Sequence, residues 1–120
     1  MADQKSEPSI EHCIRVAEGA RWVSGGSDQK LFEAKGSALD VSVKVFAEHE
    51  TLNAAPAVHE EEVATVLEGS FRIDADDESY ELVVGEGIMI PPNTARTWRC
   101  TSPRGVLYRV LTLSQPEAGV

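Results

Sequence analysis

The stretch from 62 to 96 constrains the fold of this chain more than any other part of the sequence. It consists of short apolar runs that are separated by an acidic segment and closed by glycine or proline. Six residues separate Glu62 from Gly69, and five separate Gly85 from Pro91. Proline lacks the backbone N–H that a β-ladder uses, so Pro91 ends a strand and begins a turn. This stretch therefore predicts short strands joined by tight turns.

The remainder of the chain has the same character. Residues 10–16 alternate apolar and polar side chains, which is the period of a half-buried strand. The polar pair Asp76-Asp77 is typical of a hairpin tip. Short strands at this regular spacing predict an all-β sandwich or barrel. Further strands are predicted over 29–34, 39–47, 62–67, 70–74, 80–84, 87–90, 96–101 and 106–113, with loops over 24–28 and 51–58.

Length and charge narrow the class of protein. A chain of 120 residues with 42% hydrophobic content suits one compact domain. We place that domain over 9–114, between polar tails at 1–8 and 115–120. The net charge of −9 disfavours nucleic acid and anionic membrane surfaces, since both attract cationic patches. With no apolar leader and no membrane-length apolar run, the expected location is the cytoplasm.

The segments 66–69 (VLEG) and 88–92 (IMIPP), in this order and at this spacing, resemble the two signature motifs of the cupin family. The resemblance covers roughly residues 40–112 and is sharpest from 62 to 92. It implies a small jelly-roll barrel, also called a double-stranded β-helix, of the RmlC-like kind found in compact bacterial cupins. It also implies a site inside the mouth of the barrel, usually built around a metal ion, and a homodimer is expected.

The sequence departs from the family at the metal ligands. Cupins usually carry two histidines just before the motif glutamate, whereas positions 55–58 here read Ala-Pro-Ala-Val. The position of the second-motif histidine is occupied by Arg96. By the resemblance, Glu62 and Arg96 face each other inside the barrel. Arginine stays protonated and cannot ligate a metal, so we hypothesise that Arg96 takes the place of the metal and pairs with Glu62. No cofactor is then expected.

Two alternatives remain open at this point. In the first, Arg96 extends to solvent at the barrel rim and Glu62 is one more surface acid. The register is also open, since a one-residue slip would turn Glu61 rather than Glu62 inward. In the second, a displaced metal site is formed by His49, His59 and Glu62. Imidazole and carboxylate ligands would suit iron, manganese, nickel or zinc.

Two further positions could contribute to an interior site. Trp98 shares the face of Arg96, because it lies two residues further along the same strand. It is predicted to pack in the core or to form a wall against which a ligand stacks. On the last strand either Tyr108 or Arg109 faces inward, and the pattern does not say which.

The favoured function is a metal-independent cupin that binds a small anionic or polyhydroxylated metabolite, with Arg96 and Glu62 as polar anchors and Trp98 beside them. The alternative is an enzyme of the family. It could be a metal-free isomerase, epimerase or cyclase with Glu62 as general base. It could also be a metal-dependent dioxygenase or isomerase that uses His49, His59 and Glu62. The strand predicted over 10–16 is a candidate edge for dimerisation.

Overall fold

The computed structural model describes residues 13–17, 30–54 and 60–112. Every regular element within these ranges is a β-strand. The strands are β1 (Leu31–Lys35), β2 (Leu39–Ala47), β3 (Thr51–Ala54), β4 (Glu62–Glu68), β5 (Ser70–Ala75), β6 (Glu78–Val83), β7 (Gly87–Ile90), β8 (Arg96–Cys100) and β9 (Arg104–Thr112).

The nine strands form two antiparallel sheets. The first has five strands in the order β1-β2-β9-β4-β7, and the second has four in the order β3-β8-β5-β6. The connections β2–β3, β4–β5, β6–β7, β7–β8 and β8–β9 each cross from one sheet to the other. This topology confirms the prediction of an all-β jelly roll. None of the described residues belongs to a helix that could cross a membrane.

Aromatic side chains fill the space between the two sheets. Phe46, Phe71 and Trp98 have no more than 1% exposed surface and come from three different strands. The ring centroid of Phe71 lies 5.0 Å from that of Phe46 and 6.1 Å from that of Trp98, both edge to face. Such contacts add about 0.5–1.5 kcal/mol per pair beyond the area buried. They fix the distance between the sheets at the centre of the barrel.

A second, smaller cluster lies on the outer face of the five-stranded sheet. Phe32, Val43 and Val106 are buried there, and Val16 and Ala17 pack against them. Strand β9 therefore contributes to both clusters, because Val106 faces this side while Leu107 faces the barrel interior.

Two predictions of secondary structure were wrong. Residues 51–54 form β3 rather than a loop, because they pair with β8 from Thr51–Arg99 to Ala54–Arg96. That pairing comes from a neighbour far along the chain, so the short run carries little strand signal of its own. Residues 13–16, predicted as strand, are not strand; Val16 packs against the outer cluster, and residues 13–15 are exposed.

Other predictions fall outside the described residues. These are residues 10–12, the loop at 24–28, part of the loop at 51–58, and both tails. Residues 13–16 do not form the edge strand that was a candidate for dimerisation. The homodimer stays a prediction. The predicted hairpin tip is confirmed: Asp76 has a φ of 53° and lies in the turn between β5 and β6.

The corner between β2 and β3 predicts a pH effect on stability. The Ala47 backbone N–H donates to Glu50 Oε1 at 2.9 Å and, with the Lys44 ammonium at 3.2 Å, lowers the pKa of Glu50. A carboxyl whose pKa is lower in the folded state stabilises the fold above its unfolded pKa. That stability is lost as the pH falls through the folded pKa.

We therefore expect Glu50→Gln to lose less stability than the parent when the pH is lowered from about 6 to about 3. Urea unfolding at a series of pH values measures this. Glu48→Gln serves as the control, because it removes a nearby exposed carboxylate of the same turn. Equal acid sensitivity of Glu50→Gln and the parent would contradict the assignment.

Candidate functional site

The inner face of β4 carries a fully buried carboxylate. Glu62 has 0% exposed surface and lies between Ile90 on β7 and Leu111 on β9 in the sheet register. Glu61 points the other way and is half-buried, and its backbone N–H donates to the hydroxyl of Thr112 at 2.8 Å. The sequence left open which of the two glutamates faces inward, and the structure places Glu62 inside.

Arg96, on the facing sheet, pairs with this carboxylate. Its Nη1 donates to Glu62 Oε1 at 2.7 Å, and its side chain is 2% exposed. Its Nε and Nη2 both donate to the backbone carbonyl of Thr94, at 2.9 and 2.7 Å. The predicted pair is therefore confirmed, and the alternative in which Arg96 reaches solvent at the rim is wrong.

A second arginine, Arg109 on β9, completes the group. Its Nε donates to Glu62 Oε2 at 2.6 Å and its Nη2 to Oε1 at 3.2 Å. The sequence could not assign the inward position on this strand, since its two faces are both apolar at Val106 and Leu107. Both of those residues have 0% exposure, so burial on the two sides removed the usual polar–apolar signal.

The three side chains Arg96, Glu62 and Arg109, here called the interior triad, carry two positive charges and one negative charge. Charges buried away from water are tolerated when they are paired and hydrogen-bonded. The single carboxylate compensates one guanidinium, so the triad has one positive charge in excess. The side chain of Arg109 is 13% exposed, compared with 2% for Arg96 and 0% for Glu62. Access to the triad is therefore through Arg109.

Trp98 lies two residues along β8 from Arg96, on the same face, and is fully buried. Its indole packs edge to face on Phe71. The Nε1–H has no hydrogen-bond partner among the described residues. With no exposed surface, the ring acts as core packing, and the structure does not offer it as a wall of an open site.

The alternative metal set is not assembled in the described part of the chain. The backbone N–H of His49 bonds the carbonyl of Cys100, at the opposite end of β8 from Arg96. The imidazole is 64% exposed and faces Arg99 and Glu48 rather than Glu62. His59 lies outside the described residues. Among those described, no three His, Cys, Asp or Glu side chains could hold a metal ion together.

The residues at the family's metal position also do not suit a cation. Both oxygens of Glu62 accept hydrogen bonds from arginine, and the two guanidinium groups would repel a metal. The interior triad thus does not fit the metal that cupins usually hold.

A surface depression of about 390 Å³ adjoins β8 on the outer side of the four-stranded sheet. It is lined by Asn53, Ala54, Asp74, Asp76, Ala95, Arg96 and Thr97. The hydroxyl of Ser79 and the guanidinium of Arg72 lower the pKa of Asp74, so this carboxyl is ionised at neutral pH. The acidic lining does not suit an anion, and this depression is not a route by which an anion would reach the triad.

The fold and the interior triad define a small β-barrel whose centre is charged but not arranged for a metal. The family model described as "Cupin domain" matches residues 47–111. That match covers more than half of the sequence, and the chain belongs to the cupin family. The resemblance to the cupin family that the two motifs indicated is therefore confirmed. No curated protein matches the sequence.

Several solved structures share the fold. The Bacillus halodurans protein BH2720 superposes with a TM-score of 0.69 at 17% identity, covering 98% of this chain and 90% of that one. KdgF from Halomonas sp. gives 0.62 at 13% identity, covering 73% and 83%. A sugar phosphate isomerase of the cupin superfamily from Silicibacter pomeroyi gives 0.61 at 14% identity, covering 71% and 60%. At these identities the likeness carries the fold alone.

Proposed function

We propose that this chain is a metal-independent cupin that binds a small anionic metabolite at the interior triad. The observation that carries the proposal is the sharing of one buried carboxylate by two arginines. One excess positive charge in a low-dielectric interior is costly, and an anion that pairs with it would remove that cost.

Arginine suits this role because its planar guanidinium presents paired N–H donors that match the oxygens of a carboxylate or phosphate. In Arg96 these donors are directed at Glu62 and at the carbonyl of Thr94. Arg109 directs Nε and Nη2 at Glu62, and its Nη1 takes no part in the contacts among described residues. Arg109 is therefore the anchor that meets the ligand, and Arg96 and Glu62 hold it in position.

This assignment differs from the expectation from the sequence, in which Arg96, Glu62 and Trp98 contact the ligand. The burial of those three residues favours positioning and packing roles for them. A general-base role for Glu62 receives no support, because each of its oxygens already accepts a hydrogen bond from an arginine. One structural neighbour is named a sugar phosphate isomerase, but its 14% identity brings no catalytic residue to this chain.

Thermal unfolding in the presence of small anions tests the proposal. We expect acetate, lactate or phosphate to raise the Tm relative to chloride at equal ionic strength. A ligand whose free concentration is a hundred times its Kd stabilises the folded state by about 2.7 kcal/mol. The rise should be lost in Arg109→Met when each protein is compared with its own anion-free Tm. Absence of any rise beyond the chloride control would contradict anion binding.

Elemental analysis of tag-free protein tests the metal-independent part separately. We expect no stoichiometric metal before or after incubation with iron, manganese, nickel and zinc salts. A stoichiometric metal that survives desalting would overturn this part and would make His49 and His59 the next positions to replace.

A further inference from the structure

The inner face of the five-stranded sheet continues past the interior triad as a polar strip on β2. Ser42 lies directly opposite Arg109 in the register, and Asp40 lies opposite Leu111, which in turn is opposite Glu62. Side chains opposite one another in neighbouring strands share a face. Asp40, Ser42 and Arg109 therefore form one continuous inward strip, with Ser42 only 6% exposed.

Asp40 has an unused acceptor within this strip. Its Oδ2 accepts a hydrogen bond from Lys35 Nζ at 3.1 Å. Its Oδ1 is buried and has no hydrogen-bond partner among the described residues. A buried charged oxygen without a donor is unfavourable. The position therefore favours a ligand group that donates an N–H or O–H.

Arg109 does not satisfy Asp40 itself, because its guanidinium is turned toward β4 and bonds Glu62 through Nε and Nη2. Asp40 and Arg109 are diagonal neighbours across the β2–β9 pair, with Cα atoms about 7–8 Å apart. An unused acceptor and a cationic side chain thus project from the same face of the sheet on neighbouring strands. Ser42 lies directly opposite Arg109 and two residues along β2 from Asp40, so it belongs to the same face.

From this juxtaposition we infer that the ligand is a small carboxylate that carries a donor group, hydroxyl or ammonium, on the carbon next to the carboxylate. The ligand carboxylate binds Arg109, and the neighbouring O–H or N–H donates to Asp40 Oδ1. Hydroxy acids and amino acids share this chemistry. The inference rests on the anion binding proposed above and assigns Asp40 and Ser42, which the sequence did not single out, to the site.

Lactate, alanine and propionate test the inference, because they share one carbon skeleton and differ at the carbon next to the carboxylate. Their Kd values are measured calorimetrically on the intact protein. We expect lactate or alanine to bind at least about tenfold more tightly than propionate, since a hydrogen bond to a charged group is worth this much. A preference for lactate indicates a hydroxy acid, and a preference for alanine an amino acid.

Asp40→Ala should abolish the preference and bring the better ligand to the Kd of propionate. Lys35→Ala is the matched control, because it breaks the same Lys35–Asp40 ion pair but keeps Oδ1 of Asp40. It should retain the preference. Asp40→Asn preserves the size of the side chain, so a correctly folded variant is available even if the alanine variant unfolds. It should lose a preference for alanine, because the charge that attracts the ammonium is gone.

The outcomes separate the two proposals. If the parent protein binds propionate and both other ligands equally, anion binding stands and the role of Asp40 is overturned. The role is also overturned if the preference survives unchanged in Asp40→Ala. If none of the three ligands binds, and the anion screen shows no rise in Tm, both proposals fall together.

Discussion

Replacing Glu62 with glutamine is expected to destabilise the fold severely. The side chain keeps its size and shape, but Arg96 and Arg109 lose their shared negative charge inside the barrel. Breaking a buried charge pair by removing one partner costs about 3–5 kcal/mol. Because whole domains are stable by only about 5–15 kcal/mol, this is a large fraction of the total. The free energy of unfolding from urea titration measures the loss.

Two further variants test whether the uncompensated charge causes the loss of stability in Glu62→Gln. Glu61→Gln makes the same chemical change on the neighbouring residue outside the triad and should cost little. The triple variant Glu62→Leu, Arg96→Met, Arg109→Met replaces the triad with apolar side chains of similar volume. It should be more stable than Glu62→Gln, because it leaves no uncompensated charge. A Glu62→Gln protein as stable as the parent would show that the triad does not contribute to stability.

The second large effect is expected at Gly69, in the tight turn between β4 and β5. Its φ is +79°, and a Cβ there would lie 2.3 Å from the backbone oxygen of Arg104 and 2.3 Å from Oγ of Ser102. The backbone oxygen belongs to the start of β9 and cannot rotate away. We expect Gly69→Ala to lose about 1–2 kcal/mol from the backbone conformation. The collision should cost a further 1–3 kcal/mol or so.

Gly85→Ala separates the two contributions. Gly85 has a similar φ of +90°, but a Cβ there would meet no atom within 4 Å. It should therefore show the conformational cost alone. Unfolding free energies measured side by side give the cost of the collision by difference. Equal losses in the two variants would mean that the start of β9 shifts readily to admit the methyl group.

The sequence predicts the barrel well where turns and strands are marked by local chemistry. Gly69 and Asp76 adopt positive φ in turns that the sequence predicts from glycine and aspartate. Strands β4 to β8 were predicted to within about two residues at either end, an error expected of such boundaries. Strand β3 was missed, since its pairing with β8 comes from tertiary context rather than from its own four residues.

The candidate site could be predicted only in part. The pairing of Glu62 with Arg96 followed from the family layout and from strand parity. Arg109 could not be assigned, because β9 lies in the middle of its sheet and is apolar on both faces. Nothing in the sequence marked Asp40 as a binding residue, since an aspartate near the end of a strand is common. Its significance depends on one oxygen atom having no donor in three dimensions.

The central position of β9 has a consequence for how the protein folds. This strand pairs with β2 on one side and β4 on the other, and it follows every other described strand in the sequence. During synthesis β2 and β4 emerge well before the strand that separates them in the finished sheet. The five-stranded sheet therefore cannot close until residues 104–112 have left the ribosome, and until then Glu62 lacks one of its two arginines. Folding dominated by such distant pairings is slow. The interval before closure is when this chain is most exposed to aggregation.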